Sequence, residues 1–292
     1  MTPLPGAAAG RFSIGGDLSV NRMGFGAMRV TGAGIWGDPP DRDAAIRVLR
    51  RAVELGVQLI DTADSYGPFV SEDLIAAALW PYPADLVIAT KGGLVRTGPE
   101  QWHPVGRPEY LVQCVEMSLR RLKLERIDVY QFHEIDAQVP IEESVGALVE
   151  MQRQGKVRHI GVSNFTVDDL ARARSVATVV AVQNEYNVSD RRCEDVLEVC
   201  ERDGLGFIPW APIADGRLAH RGAVLERAAT RHGVTVNQLS LAWLLHRSPV
   251  MLPIPGTGRV DHLEENVAAA SVRLSDDEWA AVDGVVPAMM RA

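Results

Sequence analysis

The chain has 292 residues, 47% hydrophobic and 23% charged, a balance that suits a globular protein with a large core and excludes a disordered or coiled-coil chain. A formal net charge of −8 argues against a general nucleic-acid binder, which needs a basic field, and leaves room only for local basic pockets. No run approaches the roughly 20 apolar residues of a membrane span, and the first ten residues lack a basic stretch followed by an apolar core, so the expected setting is cytoplasmic, with no membrane or nucleic-acid partner.

Residues 11–14 and 18–20 flank Gly15-Gly16-Asp17 as a short hairpin. Strand and helix then alternate. Strands are expected over 23–28, 57–60, 86–90, 127–132, 157–162, 179–182 and 206–210, with helices over 43–55, 71–79, 107–122, 141–154, 166–174 and 191–202. Two further helices, 223–232 and 236–246, precede a proline-rich strand at 251–254, so one of them is extra to a simple repeat. The segment 274–285 closes the chain, opening on Ser275-Asp276-Asp277-Glu278 with capping-box spacing. Such alternation predicts an α/β fold with a parallel sheet. No linker or charge block divides it, and one barrel of about 250 residues with additions accounts for 1–292 as a single domain. Cys193 and Cys200 lie about 10 Å apart along one expected helix, too far for a disulfide.

Three strand ends carry ionisable groups. The strand at 57–60 runs into Asp61-Thr62-Ala63-Asp64-Ser65-Tyr66-Gly67, the next ends on Lys91, and the strand at 127–132 ends on His133. In a parallel sheet or barrel the carboxyl ends share one face, so Asp61, Tyr66, Lys91 and His133 are expected to converge. A phenol is a weak acid whose phenolate a neighbouring ammonium stabilises, and a buried ammonium needs an anion. The set describes a general acid aimed at a carbonyl, with His133 orienting the oxygen and no metal-ligand spacing among the remaining histidines, His103, His159, His220, His232, His246 and His262. Lys91 at a barrel strand end also admits a Schiff-base aldolase.

Gly32-Ala33-Gly34-Ile35-Trp36-Gly37 matches the dinucleotide fingerprint letter for letter, yet Asp38-Pro39-Pro40 follows where a helix must open. A loop over the active site, with Trp36 as a lid, is expected instead. Pro255-Gly256-Thr257-Gly258-Arg259 precedes a helix start near Asp261 and suits a phosphate, with Arg259 facing a 2′-phosphate.

The chain resembles the aldo-keto reductases over nearly its whole length. The matching pieces run in order: Met23-Gly24-Phe25-Gly26-Ala27-Met28-Arg29, the Asp61 to Gly67 segment, Thr90-Lys91, His133, Gly161-Val162-Ser163-Asn164-Phe165, Val182-Gln183-Asn184-Glu185-Tyr186-Asn187, Pro253-Ile254-Pro255-Gly256-Thr257, and Glu265-Asn266. The resemblance implies a (β/α)8 TIM barrel plugged by the N-terminal hairpin, a catalytic tetrad at Asp61, Tyr66, Lys91 and His133, and NADPH held without a Rossmann domain. By the same resemblance, Gly26, Met28, Asp61, Ser163, Asn164, Gln183, Trp210, Ala211, Pro212, Gly256, Thr257, Arg259, Glu265 and Asn266 contact the cofactor. Ser163, Asn164 and Gln183 would meet the nicotinamide carboxamide and Trp210 its face. His262 stands where the family commonly has an arginine. Within the family the chain looks most like bacterial pyridoxal reductases, which makes an aldehyde, pyridoxal first, the expected small-molecule substrate, ahead of generic aromatic or aliphatic aldehydes. Trp36 and Trp102 would join Tyr66 and His133 at an apolar mouth, with Arg29 and Arg96 as basic groups near it. Some barrels of this kind serve as nucleotide-sensing subunits, a third possibility.

Overall fold

Two short antiparallel strands, β1 (Arg11–Ile14) and β2 (Leu18–Asn21), form the expected hairpin in the computed structural model, which describes residues 4–214 and 223–284. They are followed by β3 (Phe25–Gly26), α1 (Arg42–Glu54), β4 (Leu59–Asp61), α2 (Val70–Leu79) and β5 (Val87–Gly92). A second hairpin comes next, β6 (Leu94–Gly98) with β7 (Gln101–Pro104), and then α3 (Pro108–Leu122), β8 (Ile127–Phe132), α4 (Ile141–Arg153), β9 (Val157–Ser163) and α5 (Val167–Arg174). The described chain continues with β10 (Val179–Gln183), α6 (Glu194–Asp203), β11 (Gly206–Phe207), α7 (Ala223–His232), α8 (Val236–Arg247), α9 (Val260–Ala268) and α10 (Asp276–Asp283).

The large sheet is parallel throughout, in the order β11-β10-β9-β8-β5-β4-β3. Residues 251–254 supply the eighth stave. On one side Leu252 N donates to Phe207 O at 2.8 Å, and on the other Gly24 N donates to Pro253 O at 2.9 Å, which closes the sheet into a (β/α)8 barrel. Pro253 and Pro255 remove backbone donors, so this stave makes only an isolated bridge, at Met251 with Phe207.

Side-chain alternation along each strand sorts the residues into two cores. Ile60, Ile88, Tyr130 and Val182 belong to the core beneath the helices, whereas Leu59, Val87, Ala89, Val129 and Ala181 fill the barrel interior with Ile14, Leu18 and Val20 of the hairpin. The hairpin therefore plugs the end where the strands begin. Two residues further along, the inward face of the same strands carries Asp61, Lys91, Gln131 and Gln183. Period-two geometry thus delivers four polar side chains to one layer above an apolar plug.

Most helices bury one stripe, whereas α2 and α8 are buried nearly all round. In α1 the stripe is Ala45, Val48, Leu49 and Ala52, spaced to share one helix face, and Asp41 caps the start by accepting from Ala44 N. Thr166 with Asp169, Thr235 with Gln238, and Ser275 with Glu278 form reciprocal capping boxes on α5, α8 and α10. Each fully buried Leu or Val contributes roughly 1.5 to 3 kcal/mol relative to exposure.

Several expected boundaries shift. The strand at 23–28 pairs only at Phe25–Gly26, because the chain turns into a 3-10 helix at Ala27–Val30, and the strand at 206–210 stops at Phe207, since Pro209 offers no donor. The β6–β7 hairpin lies between the expected strand at 86–90 and the expected helix at 107–122, where no element was assigned. The terminal helix spans Asp276–Asp283, and residue 285 lies outside the described residues, as does His220. Among the described residues, no helix is long and apolar enough to cross a membrane, and no group of three or more His, Cys, Asp or Glu could hold a metal ion.

Candidate active site

Lys91 is completely buried on β5. Its ammonium donates to Asp61 Oδ1 at 2.6 Å, Thr62 O at 2.8 Å and Tyr66 Oη at 3.2 Å, so three N–H groups meet three acceptors. Asp61 Oδ2 accepts from Gln131 Nε2 at 3.0 Å and Gln183 Nε2 at 2.8 Å. One cation and two amides thereby compensate a carboxylate that burial would otherwise penalise heavily. Burial pulls the Lys91 pKa down, but the charges and hydrogen bonds of Asp61 and Tyr66 outweigh it and hold the pKa above its ordinary value.

Tyr66 is placed by a loop tied back to β5, where Thr62 N donates to Ala89 O at 2.8 Å and Asp64 N to Lys91 O at 3.1 Å, and braced within itself by Tyr66 N donating to Ala63 O at 3.2 Å. Burial pushes its phenol pKa up, and the adjacent Lys91 charge opposes that rise. His133, just beyond β8, packs edge-to-face on Tyr66 with ring centroids 5.9 Å apart. Its pKa lies well below the ordinary value, because burial and then the Lys91 and Arg96 charges disfavour the imidazolium. Both effects favour the neutral ring. Ser65 Oγ lies 3.3 Å from its Nδ1, and a hydroxyl donating there leaves the proton on Nε2, the tautomer that can donate to a carbonyl oxygen.

A cleft of about 1150 Å³ opens over this cluster. Tyr66, Leu94, Trp102, Pro104 and His133 make one wall, joined by two acids, Glu100 and Glu134. Ser163, Asn164, Gln183, Trp210, Ala211 and Pro212 continue it along the strand ends, and Gly26, Met28, Arg29, Gly256, Thr257 and His262 line the far side. Trp210 Nε1 donates to Asn164 Oδ1 at 2.9 Å, while Asn164 Nδ2 donates to Glu134 Oε2 at 2.7 Å. The far side admits no bulk: a Cβ on Gly256 would stand 2.6 Å from Gly26 O, and one on Gly26 would stand 2.7 Å from Ile254 O. Glycine here keeps the cleft floor open next to the start of α9, where backbone N–H groups and the helix dipole favour an anion. A cleft that combines an anion-suited helix start, polar side chains, a flat indole and a proton donor fits a dinucleotide with a small substrate.

Residues 22–287 match the model of the aldo/keto reductase family. The chain belongs to that family. This aldo/keto reductase is accordingly an NAD(P)H-dependent oxidoreductase. It is 53% identical over 268 residues to an uncharacterized oxidoreductase of Schizosaccharomyces pombe, covering 92% of this chain and 87% of the relative. It is 43% identical over 276 residues to pyridoxine 4-dehydrogenase of Escherichia coli, covering 92% of this chain and 96% of that one. Among solved structures, an aldo-keto reductase of Klebsiella pneumoniae in complex with NADPH superposes with a TM-score of 0.82 at 26% identity, covering 95% of each chain.

Not every expected site residue of this aldo/keto reductase meets the cleft. Lys91 sits behind Tyr66, out of reach of solvent. Trp36 stands at the protein surface, 37% exposed, with its backbone bridged to Gly67 and its ring beyond the lining residues. Arg259 is turned outward and paired with Asp261, Glu265 accepts from Thr235 Oγ1 at 2.6 Å, and Asn266 is buried in α9, so none of the three lines the cleft. The Gly32 to Gly37 stretch forms a brief 3-10 turn, Ala33–Ile35, and no helix follows until Arg42. Sequence reasoning passed over Gln131, which holds Asp61, although it shares the inward face of β8 with His133 two residues on. It also passed over Glu100 and Glu134, and over Asp64, a buried carboxyl below Tyr66 pushed up to about 7 by burial and the charge of Glu72.

Proposed function

We propose that this chain is an NADPH-dependent reductase of aldehydes to alcohols, with pyridoxal, reduced to pyridoxine, as its first candidate substrate and Tyr66 as general acid. One observation carries it: a buried Asp61–Lys91–Tyr66 chain opens onto the cleft with the His133 ring packed against the phenol. Ser163, Asn164, Gln183 and Trp210 would hold NADPH, which would supply the hydride for the carbonyl carbon. Tyr66 Oη gives its proton to the carbonyl oxygen, and the Lys91 ammonium steadies the phenolate left behind. Asp61 keeps Lys91 protonated, and His133 Nε2–H holds the oxygen in line. The likeness to pyridoxine 4-dehydrogenase supports the substrate class, and the NADPH bound in the Klebsiella relative supports the cofactor. The three free cysteines suit a reducing, cytoplasmic setting, and the chain is read as one barrel domain.

Two other readings lose ground on particular contacts. A Schiff-base lysine must be a free amine, yet the Lys91 ammonium is held protonated by three acceptors. A pure nucleotide sensor has no use for the proton-donor chain.

The test is a comparison of kcat/KM for pyridoxal and propanal with NADPH. A flat ring buries apolar area against Trp102 and Leu94 that a short chain does not, so pyridoxal is expected to win by about tenfold or more. A value for pyridoxal at or below that for propanal would leave a general reductase and remove pyridoxal. For the cofactor, Arg259 is proposed to meet the 2′-phosphate by releasing Asp261, a contact between two largely exposed side chains for which water competes freely. Arg259→Ala is then expected to weaken NADPH binding roughly tenfold, measured by fluorescence titration, and NADH binding hardly at all. Equal losses for the two cofactors would transfer the 2′-phosphate to Arg29 and His262.

A further inference from the structure

Arg96 is buried on β6 at the edge of the cleft, and every one of its five N–H donors has an acceptor. Nε donates to Gln101 O at 2.9 Å, Nη1 to Ile35 O at 2.9 Å and Ser65 O at 3.0 Å, and Nη2 to Gly34 O at 3.0 Å and Gly98 O at 3.2 Å. These carbonyls come from three separate segments: the 33–35 turn, the loop that carries Tyr66, and the turn of the β6–β7 hairpin. The flat guanidinium also stacks on Trp102, 3.5 Å from the ring centroid, with Trp36 at 5.7 Å on the outside. Trp102 in turn meets Tyr66 edge-on, centroids 6.3 Å apart.

We propose that Arg96 is a positioning residue, a guanidinium clamp that fixes the Trp102 ring against the Tyr66 loop and thereby gives the site a preference for flat aromatic aldehydes. The proposal rests on the aldehyde-reductase reading above. Its physical basis is the weakness of what else holds Trp102. β7 is solvated along most of its length, and a two-stranded hairpin is marginal by itself in water. Two backbone bonds, Glu100 N to Gly34 O at 3.0 Å and Gly67 N to Ile35 O at 3.3 Å, knit the same three segments, but neither touches the indole. The arginine does, through its face, while its edge gathers the carbonyls. A lysine retains the charge but has three donors and no plane, so it cannot do both. With all five donors committed, Arg96 offers nothing to a substrate phosphate, which leaves the free aldehyde as the better ligand on that wall.

The test uses benzaldehyde and propanal, so that it does not depend on pyridoxal. Steady-state kcat/KM is measured with NADPH for the wild type, Arg96→Lys, Trp102→Leu and the double variant, with NADPH affinity by fluorescence as a check on the fold. Arg96→Lys is expected to lower the benzaldehyde-to-propanal ratio by about tenfold with NADPH affinity within about twofold, Trp102→Leu to lower it as much, and the double variant no further. Equal falls for both aldehydes in Arg96→Lys, or additive falls in the double variant, overturn the clamp. If Arg96→Lys does not fold, Trp102→Leu decides: an unchanged ratio there overturns the proposal and a tenfold fall supports it. A wild type that turns over neither aldehyde removes the reductase reading and this one together, whereas turnover with an unchanged ratio removes this one alone.

Discussion

Tyr66→Phe is expected to lower kcat by about 10² to 10⁴-fold while NADPH affinity stays within about twofold. The substitution removes one oxygen, the atom 3.2 Å from Lys91 Nζ, and keeps the ring that packs edge-on against Trp102 and His133. Little volume is lost, so the loop that carries Tyr66 retains its bonds to β5. Rate and binding therefore separate. A fall of less than tenfold in kcat would mean that the proton reaches the carbonyl oxygen from another group, and His133, the nearest ring, would be the one to examine.

Lys91→Met is expected to fail in a different way, through stability as well as rate. It replaces a buried cation by an apolar chain of similar length and leaves Asp61 beside two amides with no counter-charge. Breaking a buried pair from one side costs about 3 to 5 kcal/mol, because the remaining charge stays desolvated. Urea unfolding should register that loss, alongside a fall in kcat comparable to that of Tyr66→Phe. Adding Asp61→Asn to Lys91→Met removes the stranded charge, so the double variant is expected to regain much of the stability and none of the activity. A single variant as stable as the wild type would show that Asp61 does not depend on Lys91.

Much of the site was legible because β-strand geometry is simple. Asp61, Lys91 and His133 each follow an apolar run, and parallel strands with crossover helices bring such ends to one face. Distances were not legible, but convergence was. Gln131 was readable by the same logic and was hidden by its position inside an apolar strand. Arg259 illustrates the opposite case: its type and place suit a phosphate, yet Asp261, two residues on, captures it locally, and only coordinates reveal which way the side chain turns. Arg96 was expected only as a basic group near the mouth, and its clamp could not be read in the pattern, since its partners are backbone carbonyls and any sequence supplies those. The eighth strand escaped regular pairing because its prolines cannot donate, and the Gly32 to Gly37 motif led nowhere because Pro39 and Pro40 hold off the helix that gives such glycines their meaning.

The most direct measurement mixes the protein with NADPH and pyridoxal and counts pyridoxine formed against NADPH consumed, for the wild type and for Tyr66→Phe side by side. One pyridoxine per NADPH in the wild type, with formation slowed by at least about a hundredfold in the variant, is the predicted result. NADPH consumed without pyridoxine, or pyridoxine formed equally fast by both proteins, would contradict it.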